Sequence, residues 1–252
     1  MMQRFKNWRL RRTPFHSTYP SRSDFVMNHV DRRMAVDRER GFIYFRIPKA
    51  ANSTICYRLA RQKNPDIDNA DDAKRSFLRG SDLTWDEVKH LKDRFYLFTF
   101  VRNPYSRIAS AYLDKVERMK PKQQQVLSNL QKGDGTPLTF LEFCRYLDRG
   151  GLYDDPHWFP QVDLIPADVD MLDFVGRVES LETDLSKVAS TIGQSDGAGN
   201  DTSVWSPHET GADLKVRELY CGETLSIVRK IYSDDFRFFV YDSVPHWEEF
   251  AS

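Results

Sequence analysis

Gly41–Leu59 reads GFIYFRIPKAANSTICYRL, and the order of residue types in it decides the fold. Phe42 to Ile47 is a run of mostly aromatic and β-branched side chains, the composition of a buried strand. Pro48 ends it, because proline has no N–H to give a neighbouring strand. Lys49, Ala50 and Ala51 follow, and Asn52, Ser53 or Thr54 is placed to cap a helix with Ile55, Leu59 and Ala60 at helical spacing. A strand, a tight loop and a helix N-terminus make an anion site, since the first helical N–H groups lack internal partners and the dipole favours negative charge. Lys49 adds a mobile cation, Ser53 and Thr54 add hydroxyl donors, and the small alanines let the backbone approach an oxyanion. The loop is not a Walker A motif, whose two glycines are missing. Taken alone, the stretch also fits an ordinary strand–helix turn with a surface lysine.

A second stretch tips that balance. Phe95 to Val101 (FYLFTFV) is another continuous apolar run, and it ends in Arg102-Asn103-Pro104. Pro104 suits the first turn of a helix. The helix carries Ile108, Ala111, Tyr112 and Val116 as an apolar stripe, with Arg107 and Ser110 beside them. Ligands of open parallel sheets bind at the carboxyl ends of strands. Two such ends, each with cationic and hydroxyl donors, suit a ligand with two separate anionic groups.

PKAANSTI after one strand and FVRNPYSRIASAYLDK after another resemble the two cofactor motifs of the sulfotransferases, closest to the family 2 carbohydrate sulfotransferases. The resemblance implies that the first loop holds the 5′-phosphosulfate of 3′-phosphoadenosine 5′-phosphosulfate (PAPS). Lys49, Ala51, Asn52, Ser53 and Thr54 would line it, with Arg102 and Ser110 on the 3′-phosphate. It further implies a P-loop-like sulfotransferase fold and a carbohydrate hydroxyl as acceptor. HWFPQ at 157–161, DFVGRVESLETDL at 173–185 and ETLSIVRKIYSDDFRFFVY at 223–241 are also similar to family segments, so the likeness runs from Gly41 to Tyr241. Two departures bear on the subfamily: Ala51-Asn52 stands where many relatives have Cys or Gly, and Asn103 where Asp is common.

Composition sets the outer bounds. The 252 residues suffice for a sizeable core, and 40% hydrophobic with 13% aromatic content fits a globular chain. Formal net charge is zero, so no global electrostatic case for nucleic acid exists. Residues 1–40 hold ten Lys or Arg against four Asp or Glu and read as a basic arm packing partly on a single domain at 41–252. Peripheral contact with acidic glycans or membranes through that arm competes with a merely solvated extension. Cys56, Cys144 and Cys221 are too scattered for disulfides or zinc and read as buried reduced thiols. There is no eighteen-residue apolar run and no signal-like N-terminus, which reads as a cytoplasmic, bacterial protein. The alternative is a lumenal fragment lacking its anchor, because many animal members of the family are anchored Golgi enzymes.

Further along, Thr84 with Glu87 reads as a capped short helix, Pro121 to Gly135 as a mobile connection, and Thr139 to Leu147 as an amphipathic helix. Gly150 to Pro166 lacks periodicity. Met171 to Val178 reads as a third strand, Leu181 to Ile192 as a helix, and Ser195 to Asn200 as a flexible loop. Helices at about 213–221 and 223–232 lead into Phe236–Tyr241. The alternation predicts a three-layer α/β domain with a mainly parallel sheet flanked by helices.

For chemistry, Lys49 and the helix N-terminus are placed to stabilise charge growing on the phosphate side as an S–O bond breaks. Hydroxyl acceptors need a general base. His157 is the first candidate, with Asp154 or Asp155 to raise its basicity, and a structural histidine is the competing reading. His208 and then Glu87 are weaker candidates. No metal is required and no clustered ligand set suggests one. Two alternatives stand beside the sulfotransferase. One is a non-catalytic module binding PAPS, its spent product or a sulfated glycan; the other is a nucleotide-dependent phosphotransferase. Oligomeric state is not legible.

Overall fold

The computed structural model describes residues 7–128, 136–166, 169–193 and 212–245. Its helices and strands run, in chain order, α1 Pro14–Thr18, α2 Asp24–Asp31, β1 Met34–Asp37, β2 Phe42–Phe45, α3 Asn52–Lys63, α4 Ala70–Arg75, α5 Trp85–Lys89, α6 Leu91–Arg94, β3 Tyr96–Val101, α7 Pro104–Ala111, α8 Pro121–Val126, α9 Phe140–Asp148, β4 Phe174–Arg177, α10 Leu181–Thr191, α11 Ala212–Leu219, α12 Gly222–Ile231 and α13 Ser233–Phe238. The chain divides into two compact units: Met1–Val101 with Gln161–Pro207, and Arg102–Pro160 with His208–Ser252.

The first unit holds a four-stranded mixed sheet in the order β1-β2-β3-β4. β1 pairs antiparallel with β2 (Met34↔Phe45), whereas β2–β3 (Phe45↔Thr99) and β3–β4 (Val101↔Arg177) are parallel. β2 is buried at every position, as its unbroken apolar sequence requires. On one face Phe42, Tyr44, Phe98 and Phe100 pack against Ile55, Cys56 and Leu59 of α3 and Leu185 and Val188 of α10. Tyr44 stacks on Phe98 with centroids 5.0 Å apart. The alternate residue Phe45 meets Phe15 of α1, so helices flank the sheet.

The polar N-terminal segment enters this fold more deeply than an arm would. Phe15, Val26, Met27 and Val30 are buried, and β1 forms the sheet's edge. Its polar side chains are spent on links: buried Asp31 accepts from Ser81 N–H at 2.7 Å and faces His16 Nε2 at 3.1 Å. Three further expectations shift. β2 ends at Phe45, two residues early. The third strand shortens to Phe174–Arg177 behind a 3₁₀ turn at Val169–Met171. The predicted caps of α3 are already helical, and Ala51 is the N-cap.

In the second unit α7 widens into a π-helical turn at Tyr112–Glu117, and the apolar stripe of Ile108, Ala111, Tyr112 and Val116 is buried as its spacing predicts. It packs with Phe140, Phe143 and Leu147 of α9, Leu225 and Val228 of α12, and Trp158. The hydroxyl of Thr139 caps α9 while Glu142 returns the bond, a reciprocal pair that fixes the helix start. One reading is corrected here: the connection from Pro121 begins as helix α8. Phe236, to which the sequence reading gave no element, lies in helix α13. Cys56 and Cys144 are buried free thiols, but Cys221 is exposed. Ser195–Asn200, His208 and residues 129–135 lie outside the described residues.

Candidate active site

Since β2 and β3 run parallel, the chain leaves both at the same end of the sheet, into Pro48–Ala51 after β2 and into Arg102 after β3. The first of these loops is wound unusually. Lys49 and Ala51 both take left-handed backbone, at φ 67° and 53°. Ala50 between them is fully buried, and its N–H bonds back to Ile47 O at 3.3 Å. Alternating hand along a short run turns successive N–H groups towards one side, an arrangement suited to anions. Ala51 has no side-chain oxygen to cap α3, and no acidic residue occupies the first turn. A helix start with neither a side-chain cap nor an acidic first turn suits a phosphate or sulfonate. Asn52 and Ser53 are half-buried, and Thr54 is buried.

The second motif opens α7. Asn103 accepts from Tyr105 N–H at 2.9 Å with its side chain, and Pro104 occupies the first helical position. Asn therefore does the capping that an Asp at this position would do. Arg102 is half-buried, and Ser110 is buried two turns into the helix. Arg107 is buried and donates from Nη1 to Phe159 O at 2.8 Å. Burial and the nearby positive charge of Arg102 lower its pKa, against Tyr232 and Asp235, which raise it.

The aperiodic segment from Gly150 is pinned rather than loose. Tyr232 donates its hydroxyl to Trp158 O at 2.6 Å, and Trp158 Nε1 donates to Gly151 O at 3.0 Å. His157 lies in this segment with its side chain 25% exposed beside Asp155 at 1%. Asp155 Oδ1 accepts from the His157 backbone N–H at 2.9 Å and meets ring Nδ1 at 2.5 Å. Asp155 Oδ2 accepts from Gln123 Nε2 at 2.8 Å. Burial pushes the Asp155 carboxyl up, but the His157 ring and N–H and the Gln123 amide outweigh it and hold the pKa at about 2. Of the two aspartates suggested by the sequence, Asp155 is the partner of His157, while Asp154 accepts the Tyr146 hydroxyl.

The structure thus gathers Lys49, Ala51, Asn52, Ser53 and Thr54 on one loop and helix start, Arg102 and Ser110 around the start of α7, and His157 on Asp155. Glu87 is engaged elsewhere: it closes a capping box with Thr84 and binds Arg38 at 2.5 Å. Gln123 and the latch from Arg107 to Phe159 escaped the sequence reading. Both act across more than thirty residues, and only a buried polar side chain in a polar stretch marks the first. Among the described residues no group of three or more His, Cys, Asp or Glu is set to hold a metal. No described helix is long and apolar enough to cross a membrane.

The chain is 28% identical over 193 residues to carbohydrate sulfotransferase 14 of Danio rerio, covering 70% of this chain and 52% of that protein. With carbohydrate sulfotransferase 14 of Mus musculus it shares 29% over 181 residues, covering 66% and 47%. The Homo sapiens protein of the same name gives 29% over 182 residues, with the same two shares. The chain therefore spans about half the length of the curated relatives it matches. No solved structure gives a significant match. The sulfotransferase family model matches residues 32–242, across both strand-end motifs and the His157 segment, and the chain belongs to that family.

Proposed function

We propose that this chain transfers a sulfuryl group from PAPS to a hydroxyl of a carbohydrate acceptor. The observation that carries the proposal is the loop at the end of β2, where left-handed Lys49 and Ala51 lead into a helix start without a side-chain cap, an arrangement that suits an anion without glycine. PAPS supplies the sulfuryl group when bound. Lys49 and the N–H groups of Asn52, Ser53 and Thr54 bind the 5′ end and stabilise negative charge there. Removal of one such donor costs about 3–4 kcal/mol of transition-state stabilisation. Arg102 and Ser110 hold the 3′-phosphate, which does not react, and so set the register of the nucleotide; a guanidinium suits this because its fork meets phosphate oxygens in pairs. His157 takes the proton of the acceptor hydroxyl.

The same kinship supports the P-loop-like, three-layer form of the fold. It also favours the lumenal alternative over a cytoplasmic place of action. The relatives' names support a carbohydrate over other hydroxyl acceptors.

Calorimetric titration with 3′-phosphoadenosine 5′-phosphate in EDTA tests the donor site. Binding by the wild type, lost in Arg102→Ala, is expected. No binding by the folded wild type overturns the assignment, and a requirement for Mg²⁺ turns it towards a phosphotransferase. Binding without transfer from labelled PAPS to desulfated glycosaminoglycans would favour the non-catalytic module.

A further inference from the structure

Gln123 sits on α8, in a connection whose lysines and glutamines suggest solvent, yet it is only 3% exposed. A buried amide is costly unless bonded. Its Nε2 donates to Asp155 Oδ2 at 2.8 Å, while Oδ1 of the same carboxylate serves His157 twice, at backbone N–H and ring Nδ1. An ionised carboxylate only accepts, so Nδ1 carries a hydrogen and the neutral ring keeps its lone pair on Nε2. Both oxygens are engaged, which stops the carboxylate from turning away from the ring.

We propose that Gln123 and Asp155 are positioning residues that hold His157 in its Nδ1–H tautomer and leave Nε2 as the basic atom. This rests on the reading of His157 as general base. In the transfer step the acceptor oxygen would gain its bond to sulfur as the bond from sulfur to the 5′-phosphate oxygen breaks, the phosphate leaving with the electron pair, and the acceptor would lose its hydrogen. That proton moves to Nε2, and the resulting imidazolium keeps Nδ1–H on an Asp155 that stays ionised. Charged groups around the segment include Asp154, held by the Tyr146 hydroxyl, and Arg107, held on Phe159 O with Asp235 and Arg102 near it.

The double use of Oδ1 gives a specific consequence. In Asp155→Asn the amide oxygen must occupy the Oδ1 position, because an NH₂ there would face the His157 backbone N–H. The amide NH₂ then points to Gln123, whose own amide turns to accept it. The tautomer survives, and only the negative charge is lost. In the Ser-His-Asp triad the corresponding substitution leaves the wrong tautomer.

The test is ring ¹⁵N–¹H correlation NMR of the full chain, read beside steady-state kinetics, for the wild type, Asp155→Asn and Gln123→Met. The wild type should show the Nδ1–H tautomer. Asp155→Asn should keep it, lower the His157 pKa by about one unit or more, and reduce kcat by about 10- to 100-fold with the KM for PAPS unchanged. Gln123→Met should show a mixed tautomer and a smaller loss of kcat. An Nε2–H tautomer in the wild type overturns the proposal, as does an Asp155→Asn protein with unchanged His157 pKa and kcat. If Gln123→Met does not fold, the other two proteins decide. Full activity in His157→Gln would overturn the general-base reading instead, a result distinct from any change of tautomer.

Discussion

Lys49 and Ala51, two residues apart in the loop after β2, share a left-handed backbone at φ 67° and 53°. That region costs an L-residue roughly 1–2 kcal/mol, and glycine escapes the cost. Glycine also loses more chain entropy on folding, which takes back part of the gain. Ala51→Gly should therefore leave stability equal or raise it by up to about 1 kcal/mol. Lys49→Gly should be as stable, yet lose about 10²–10³-fold in kcat because the cation is gone. Urea midpoints beside turnover measure both. A Lys49→Gly protein that retains full kcat would remove Lys49 from the chemistry.

Gly176 in β4 pairs with Phe100 in β3, and a Cβ at 176 would lie 2.5 Å from the Phe100 ring. Phe100 has little room to yield, being fully buried and edge-on to Tyr44, Phe98 and Phe174. Gly176→Ala should cost about 1–3 kcal/mol by overpacking. A urea midpoint equal to the wild type would show that the ring stack relaxes freely.

What the sequence disclosed and what it hid follow from the range of each interaction. The aromatic runs of β2 and β3 and the helices after them are local patterns, so the motifs were placed within two residues. β1 was missed because four residues, MAVD, sit among arginines; burial there comes from β2 and from the bridge of Val36 to Leu78, not from local composition. The left-handed turn at Ala51 has no propensity signal at all. The link between Asp155 and His157 was visible because they are two residues apart, whereas Gln123 reaches them over 32 residues and no periodicity announces it.

The N-terminal segment gives a prediction of its own. Asp31 is buried and joins α2 to His16 of α1 and to the backbone of Ser81. Burial pushes its carboxyl up, but His16 and Ser81 lower it below its ordinary value. Asp31→Ala leaves the Ser81 N–H and the His16 ring without that acceptor, a loss of about 1–3 kcal/mol. Thermal unfolding that does not move would return residues 13–37 to the status of an accessory arm.

Asp155 should make stability depend on pH in acid. Its folded pKa is about 2, below the ordinary 3.8, so between those values the unfolded chain binds the proton more readily. The contribution is therefore complete above about pH 4 and disappears as the pH falls through about 2, amounting to about 2 kcal/mol in all. Asp155→Asn cannot titrate there. The gap in urea midpoint between wild type and Asp155→Asn should narrow steadily from pH 5 to pH 2.5, with the wild type the more stable at the upper end. A gap that stays constant across that range would mean that Asp155 supports the His157 segment by shape alone, without its charge.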